Sequence, residues 1–321
     1  MRNWGFAIVV LGFVAVPVLA QATAPSASHA IPAKRLLADR ALAGGLAWQI
    51  ALEREGFSPG LIDGKIGPKT RVATEIYQRG SGLPATGAMD AATQEHLKPD
   101  PDHAVIEYSV QPSDLEGITP LLEDWNERAK QSQLGYYDAL DGLAEKFHTS
   151  RAMMQSLNPT VGFDGIKAGT VLIVPGVQES RAPKAASLKI DLRNKQILAL
   201  DEQGKVIALF HCSIAAHVEK RPSGETKVIV VHRNPDYTFD PQYWPEVHNV
   251  THKLLIAPGP RNPVGLAWIG LDLPGYGIHG TPHPEMIGKT GSHGCFRMTN
   301  WDAIRLSKMI RPGAIVTFVV P

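Results

Sequence analysis

From Ser187 to Val320 the chain is built of short apolar runs that stop at Gly, Pro or Asn. Ser187–Leu192 and Gln196–Leu200 flank a turn at Arg193-Asn194-Lys195, Gly204 turns the chain into Val206–Phe210, and Thr226–Val231 and Gly313–Val320 follow. Runs of this length with turn punctuation read as strands, and Trp301–Ile310 is the one good helix among them, with Asn300 as its candidate cap. This pattern predicts a C-terminal β-sandwich-type domain over residues 186–321 and argues against a parallel α/β sheet. At 321 residues the chain exceeds one typical core, so the expected architecture is multidomain α+β.

The upstream half divides at compositional breaks. Met1-Arg2-Asn3 followed by an apolar run from Trp4 to Ala20 reads as a signal peptide over residues 1–20, so the protein is expected to be exported, with no membrane association after cleavage. Residues 21–40, rich in Ala, Ser and Pro, read as a linker. Residues 41–98 predict three helices. The first runs from Leu42 to Glu55, the second opens at Pro68 after an Asp63-Gly64 turn, and the third is capped by Asp90. After Lys98-Pro99-Asp100-Pro101, residues 104–176 read as strand, helix, helix and strand, with about twenty extra residues that include Trp125 and Tyr136-Tyr137.

Charge excludes one partner class. Lys and Arg number 32 against 31 Asp and Glu, so nothing favours nucleic acid. The two cysteines, Cys212 and Cys295, would make one disulfide in a typical exported protein. The surroundings of Cys295 suggest otherwise. Thr290-Gly291-Ser292-His293-Gly294-Cys295-Phe296-Arg297 places a cysteine among glycines and polar residues, downstream of Gly277-Ile278-His279-Gly280. A thiolate is the nucleophilic form of cysteine, and an imidazole within reach activates it. His279 is assigned that role, because His293 lies too close in sequence to face the thiol. Gly291 and Gly294 allow successive N–H groups to converge on an oxyanion, and Arg297 is placed to clamp a substrate carboxylate.

The His-Gly and Ser-His-Gly-Cys-x-Arg elements closely resemble the signature of L,D-transpeptidases, cysteine enzymes that remodel peptidoglycan. The resemblance implies a peptidoglycan tetrapeptide stem as donor, attacked at the carbonyl before its terminal D-alanine to give a Cys295 thioester. It further implies that Gly280 orients His279 through its carbonyl, that His293, Gly294, Ser292 and Arg297 surround oxyanion and substrate, and that residues 232–274 form a flap. A second stem amine, or a lysine of an envelope lipoprotein, would resolve the thioester, and carbapenems would target the thiol. Residues 41–98 resemble the three-helix peptidoglycan-binding domain through Asp63-Gly64-x-x-Gly67-x-x-Thr70 and Thr86-Gly87-x-x-Asp90-x-x-Thr93. Residues 104–176 resemble a LysM module, a binder of N-acetylated glycans, but lack Gly-Asp-Thr after the first strand. A periplasm is the implied setting, with no cofactor and no metal. The alternatives are an L,D-carboxypeptidase, a zinc-dependent wall hydrolase using His279, His283, His293 and Cys295, and a non-catalytic wall-binding protein.

Overall fold

The computed structural model describes residues 39–244, 246–292 and 294–320. The expected signal peptide and most of the expected first linker lie outside the described residues, as does His293. Among the described residues no helix is long and apolar enough to cross a membrane.

The N-terminal unit holds α1 (Arg40–Arg54), α2 (Pro68–Gly80) and α3 (Ala91–Leu97). Its starts follow the capping chemistry: Asp39 accepts from the N–H groups of Ala41 and Leu42, Pro68 opens α2, and Asp90 accepts from Thr93. Next come β1 (Val105–Ser109), α4 (Trp125–Ala129), α5 (Ala139–Lys146), α6 (Arg151–Leu157) and β2 (Val171–Pro175), with β1 and β2 paired antiparallel. Asp138 and Ser150 cap α5 and α6.

The C-terminal unit comprises β3 (Ser187–Asp191), β4 (Gln196–Leu200), β5 (Val206–His211), β6 (Gly224–Arg233), β7 (Tyr237–Phe239), β8 (Leu254–Ile256), β9 (Ala267–Leu271), β10 (Gly277–His279), β11 (Phe296–Arg297), α7 (Asn300–Met309) and β12 (Ile315–Val319). All but β7 and β8 form one eight-stranded sheet, in the order β11-β10-β9-β6-β12-β3-β4-β5. The expected two-layer sandwich is therefore corrected. The chain leaving β5 meets β11, with Ser213 and Arg297 exchanging both backbone hydrogen bonds at 2.8 and 3.0 Å, so the two ends of the sheet join. One core inside this curl takes Leu188, Ile197, Phe210, Ile269, Ile278, Phe296 and Phe318 from strands across the whole sheet, and Leu306 from α7. Alternation in sequence shows that each strand has a buried face, but not whether the faces belong to two sheets or to one that curls. The cap of α7 is also corrected. Thr299 accepts from Asp302 N–H, while Asn300 is buried and donates to Glu145 of α5 and to the Pro260 carbonyl.

The three units are welded rather than strung. Gly56–Ser58 lies along the free side of β5: Ser58 N–H donates to the Leu209 carbonyl at 3.0 Å and Leu209 N–H donates to Gly56 at 3.2 Å. This covers an otherwise open sheet edge. At the junction Glu53 of α1 is buried against His148 of the middle unit and Arg305 of α7 (2.9 Å), and His148 stacks on Trp301 at 4.9 Å. A second buried ionic cluster, Arg261 with Asp141 and Glu145, ties α5 to the loop between β8 and β9.

Candidate active site

The site forms where β10 and β11 run parallel. Ile278 pairs with Phe296 and His279 with Arg297, and both Ile278 and Phe296 are wholly buried in the sheet core. Side chains alternate along strands, so His279 and Arg297 lie on the other face. Cys295 immediately precedes β11, and its thiol lies against the backbone of 275–277. Sγ donates to the Gly275 carbonyl at 3.4 Å, and Gly277 N–H donates to sulfur. The neighbouring strand thus holds the cysteine two residues from His279.

His279 is buried, and its Nδ1 donates to the carbonyl of Gly280 at 2.7 Å. That bond places the proton on Nδ1 and leaves Nε2 as the basic nitrogen. Burial pushes the imidazole down to about 4; the Gly280 bond opposes this and the Arg297 charge adds to it. Trp268 of β9, paired with His279 in register, stacks on the ring at 5.6 Å and 26°.

Cys295 is partly exposed, whereas Cys212 is fully buried in the sheet core, and both are free thiols. Burial raises the Cys295 thiol above its ordinary value, with Gly277 N–H and Arg297 pulling it back down. At rest the site therefore holds a thiol on the cysteine segment and a neutral imidazole on β10.

Arg297 is half-buried and donates to the Gly291 carbonyl. It borders a cavity of about 250 Å³ shared with Ser213, Thr281, His283 and Thr290. Ser292 turns inward: its hydroxyl donates to the Cys295 carbonyl and accepts from Gly294 N–H at 3.2 Å. The structure therefore gathers Cys295, His279, Gly280, Ser292, Gly294 and Arg297 around one strand pair. His283 lines that same cavity, at 3.8 Å from Glu285. Among the described residues no three His, Cys, Asp or Glu side chains converge as metal ligands.

Two contributors escape residue-type reasoning. One is Trp268; the other is Tyr237, on the β7–β8 hairpin. Burial raises the Tyr237 phenol, the Trp244 bond opposes this, and the nearby Cys295 adds to the rise. Beside them opens a cavity of about 910 Å³ lined by Asn234, Tyr237, Leu255 and Trp268, with Ala129 and Gln131 of the middle unit on its wall. The sequence signal for Trp268 is Gly277, two positions along β10 from the His279 that pairs with Trp268: a Cβ there would meet the indole at 2.5 Å. Gly277→Ala is expected to push Trp268 off the imidazole and cost about 1–3 kcal/mol of stability. The measurement is turnover alongside thermal unfolding, and turnover should fall further than the stability loss alone would explain.

Residues 185–318 match the family model described as "L,D-transpeptidase catalytic domain". This region is an L,D-transpeptidase catalytic domain. Residues 46–97 match the model described as "Putative peptidoglycan binding domain", so a peptidoglycan-binding domain precedes the L,D-transpeptidase domain. The curated protein named "Putative L,D-transpeptidase YkuD" from Bacillus licheniformis is 28% identical over 181 residues, covering 56% of this chain and 93% of that protein. "Putative L,D-transpeptidase YqjB" from Bacillus subtilis is 33% identical over 124 residues, or 37% of this chain and 63% of that protein. The solved L,D-transpeptidase from Xylanimonas cellulosilytica aligns with a TM-score of 0.35 at 16% identity, covering 85% of this chain and 92% of that one.

Proposed function

We propose that the protein is an L,D-transpeptidase acting on peptidoglycan tetrapeptide stems in the periplasm, with Cys295 as nucleophile and His279 as the acid–base group. The observation that carries this reading is the His279 imidazole, buried and neutral, held by the Gly280 carbonyl on the strand paired with the cysteine segment. Nε2 takes the thiol proton as sulfur attacks the carbonyl carbon before the terminal D-alanine. The oxyanion is held by backbone N–H groups around residues 293–295, which lowers the barrier because those dipoles are already oriented. The C–N bond then breaks, His279 returns the proton to the leaving amine, and a thioester remains. An acceptor amine attacks it, giving its proton to His279, and the thiol is restored. Diaminopimelate is the acceptor favoured here, and an envelope lipoprotein lysine follows the same chemistry. His293, Ser292 and Arg297 contact substrate in this reading, Arg297 through a stem carboxylate.

The unit from β1 to β2, in which α4 precedes the two expected helices, is read as a LysM-like module and the helical unit as a wall anchor. Incubation of the mature protein with disaccharide-tetrapeptide, followed by mass spectrometry, tests the reaction. Crosslinked dimers lacking one D-alanine support it. Tripeptide alone indicates a carboxypeptidase, and unchanged substrate returns the chain to wall binding or to metal chemistry.

The neutral resting thiol and imidazole set a pH signature. A thiol held above its ordinary pKa gains thiolate only as pH rises, so alkylation of Cys295 by iodoacetamide should speed up about tenfold per pH unit from 6 to 8. A plateau through that range would instead indicate a preformed thiolate–imidazolium pair.

A further inference from the structure

Residues by which the middle unit departs from a LysM pattern make a contact of their own with the catalytic domain, apart from those of His148, Asp141 and Glu145. Trp125 of α4 stacks on Phe239 of β7 with ring centroids 4.0 Å apart at 24°. A separate small core joins Leu134, Trp125 and Ala129 from this unit to Phe239, Val250, Leu254 and Ile256 of the β7–β8 hairpin. The hairpin forms its own two-stranded sheet, outside the eight-stranded one. A lone two-stranded hairpin is marginal in water, so its order depends on what it packs against.

The contact is also built into the backbone. Leu134 N–H donates to the Pro258 carbonyl at 2.8 Å, and Arg261 N–H donates to the Leu134 carbonyl at 3.1 Å. Gly259, at φ +140°, permits this approach, since a Cβ there would sit 2.1 Å from the Leu134 carbonyl oxygen. At the rim Asn249 donates to Asp124, and Asn126 donates to the Asn249 carbonyl at 3.5 Å. The same segment supplies Ala129 and Gln131 to the wall of the large cavity, and the hairpin supplies Tyr237 and Leu255 to it alongside Trp268, which stacks on His279.

We propose that residues 117–137 of the middle unit hold the β7–β8 hairpin over the nucleophile, with Trp125 as the positioning residue, so that this unit builds one wall of the substrate cavity. The identity of the substrate rests on the transpeptidase reading; the clasp itself does not. Trp125 acts through the hairpin rather than on the reacting atoms. Its loss therefore frees the cover while leaving Cys295 and His279 in place.

The test compares the wild type with Trp125→Ala and Trp125→Phe. Cys295 is alkylated with iodoacetamide and with fluorescein maleimide, and both rates are read by peptide mass spectrometry. Trp125→Ala should raise the maleimide-to-iodoacetamide rate ratio by about fivefold or more, and Trp125→Phe should restore the wild-type ratio. On tetrapeptide stems KM should rise about tenfold with kcat within about twofold, the split expected when substrate positioning is lost and the reacting groups are intact. A folded Trp125→Ala protein with unchanged ratio and unchanged KM overturns the proposal. Should Trp125→Ala fail to fold, Asn249→Ala at the rim replaces it: a raised ratio upholds the clasp and an unchanged one overturns it. A wild type that releases no D-alanine, combined with a raised ratio in the variant, refutes the transpeptidase reading and leaves the clasp standing.

Discussion

Cys295→Ala releases no D-alanine from tetrapeptide stems and forms no acyl adduct, while keeping the wild-type fold. The side chain lies at the surface end of a strand and contacts the backbone of 275–277, so its loss opens no core cavity. His279→Ala lowers D-alanine release by about 10³-fold, the scale of a positioned acid–base group. Mass spectrometry of the intact protein after incubation with stem reads both outcomes. An acyl adduct on Cys295→Ala would place the nucleophile elsewhere, and a wild-type rate in His279→Ala would remove the imidazole from the reaction. Cys295→Ala should keep the thermal midpoint near that of the wild type, whereas His279→Ala empties a buried ring site beside Trp268 and should lower it, so its rate is read well below its own midpoint.

Arg261→Ala costs about 3–5 kcal/mol of stability, the penalty for leaving buried charge without its partner. The guanidinium is almost fully buried, forks onto Asp141 with one bond at 2.7 Å, and reaches Glu145 at 2.8 Å. It also lies 5.1 Å and 5.4 Å from the ring centres of Tyr136 and Tyr137, where the ring faces favour a cation. Burial already pushes the Glu145 carboxyl up, with Arg261 and the Asn300 bond opposing. Without Arg261 that carboxyl rises further and takes up a proton more readily in the folded protein than in the unfolded chain. The stability gap between variant and wild type should therefore narrow as pH falls from 7 to 5. Urea unfolding of both proteins at each pH measures it. A gap under 1 kcal/mol at pH 7, against the several expected of a buried pair, would mean that the cluster is not what joins the units.

The site was more legible than the assembly. Cys295 and His279 stand out by type and spacing as a candidate nucleophile and base, and the resemblance to L,D-transpeptidases singles them out and adds Gly280. The pairing of β10 with β11 could not be read, since strands of three and two residues leave no periodicity to detect. The sandwich expectation failed for a related reason: the link between Ser213 and Arg297 that joins the ends of the sheet is made by backbone atoms, to which sequence is blind. Glu53 and Arg305 look like solvent-facing charges on their helices, yet each is buried against the other at the junction of the units. Trp125 and Tyr136-Tyr137 stood out as surplus to a small glycan-binding module. Their use became visible only with the hairpin and Arg261 beside them. Asn300 was read as a cap because Asn favours that position. The structure gives that task to Thr299 and frees Asn300 to bond across to α5.

The seam between Gly56–Ser58 and β5 bears on how such a protein would work on a polymer. A module on a flexible leash lets its catalytic partner search a volume set by leash length. Here the leash is replaced by two main-chain hydrogen bonds and the buried Glu53–Arg305 contact. If the helical unit grips a glycan strand, the nucleophile is presented at one offset and one bearing from the grip, in the manner of a gauge block. The spacing between the gripped sugar and the stem that is cut then becomes a constant of the molecule, legible in the length distribution of the products it leaves on an ordered sacculus.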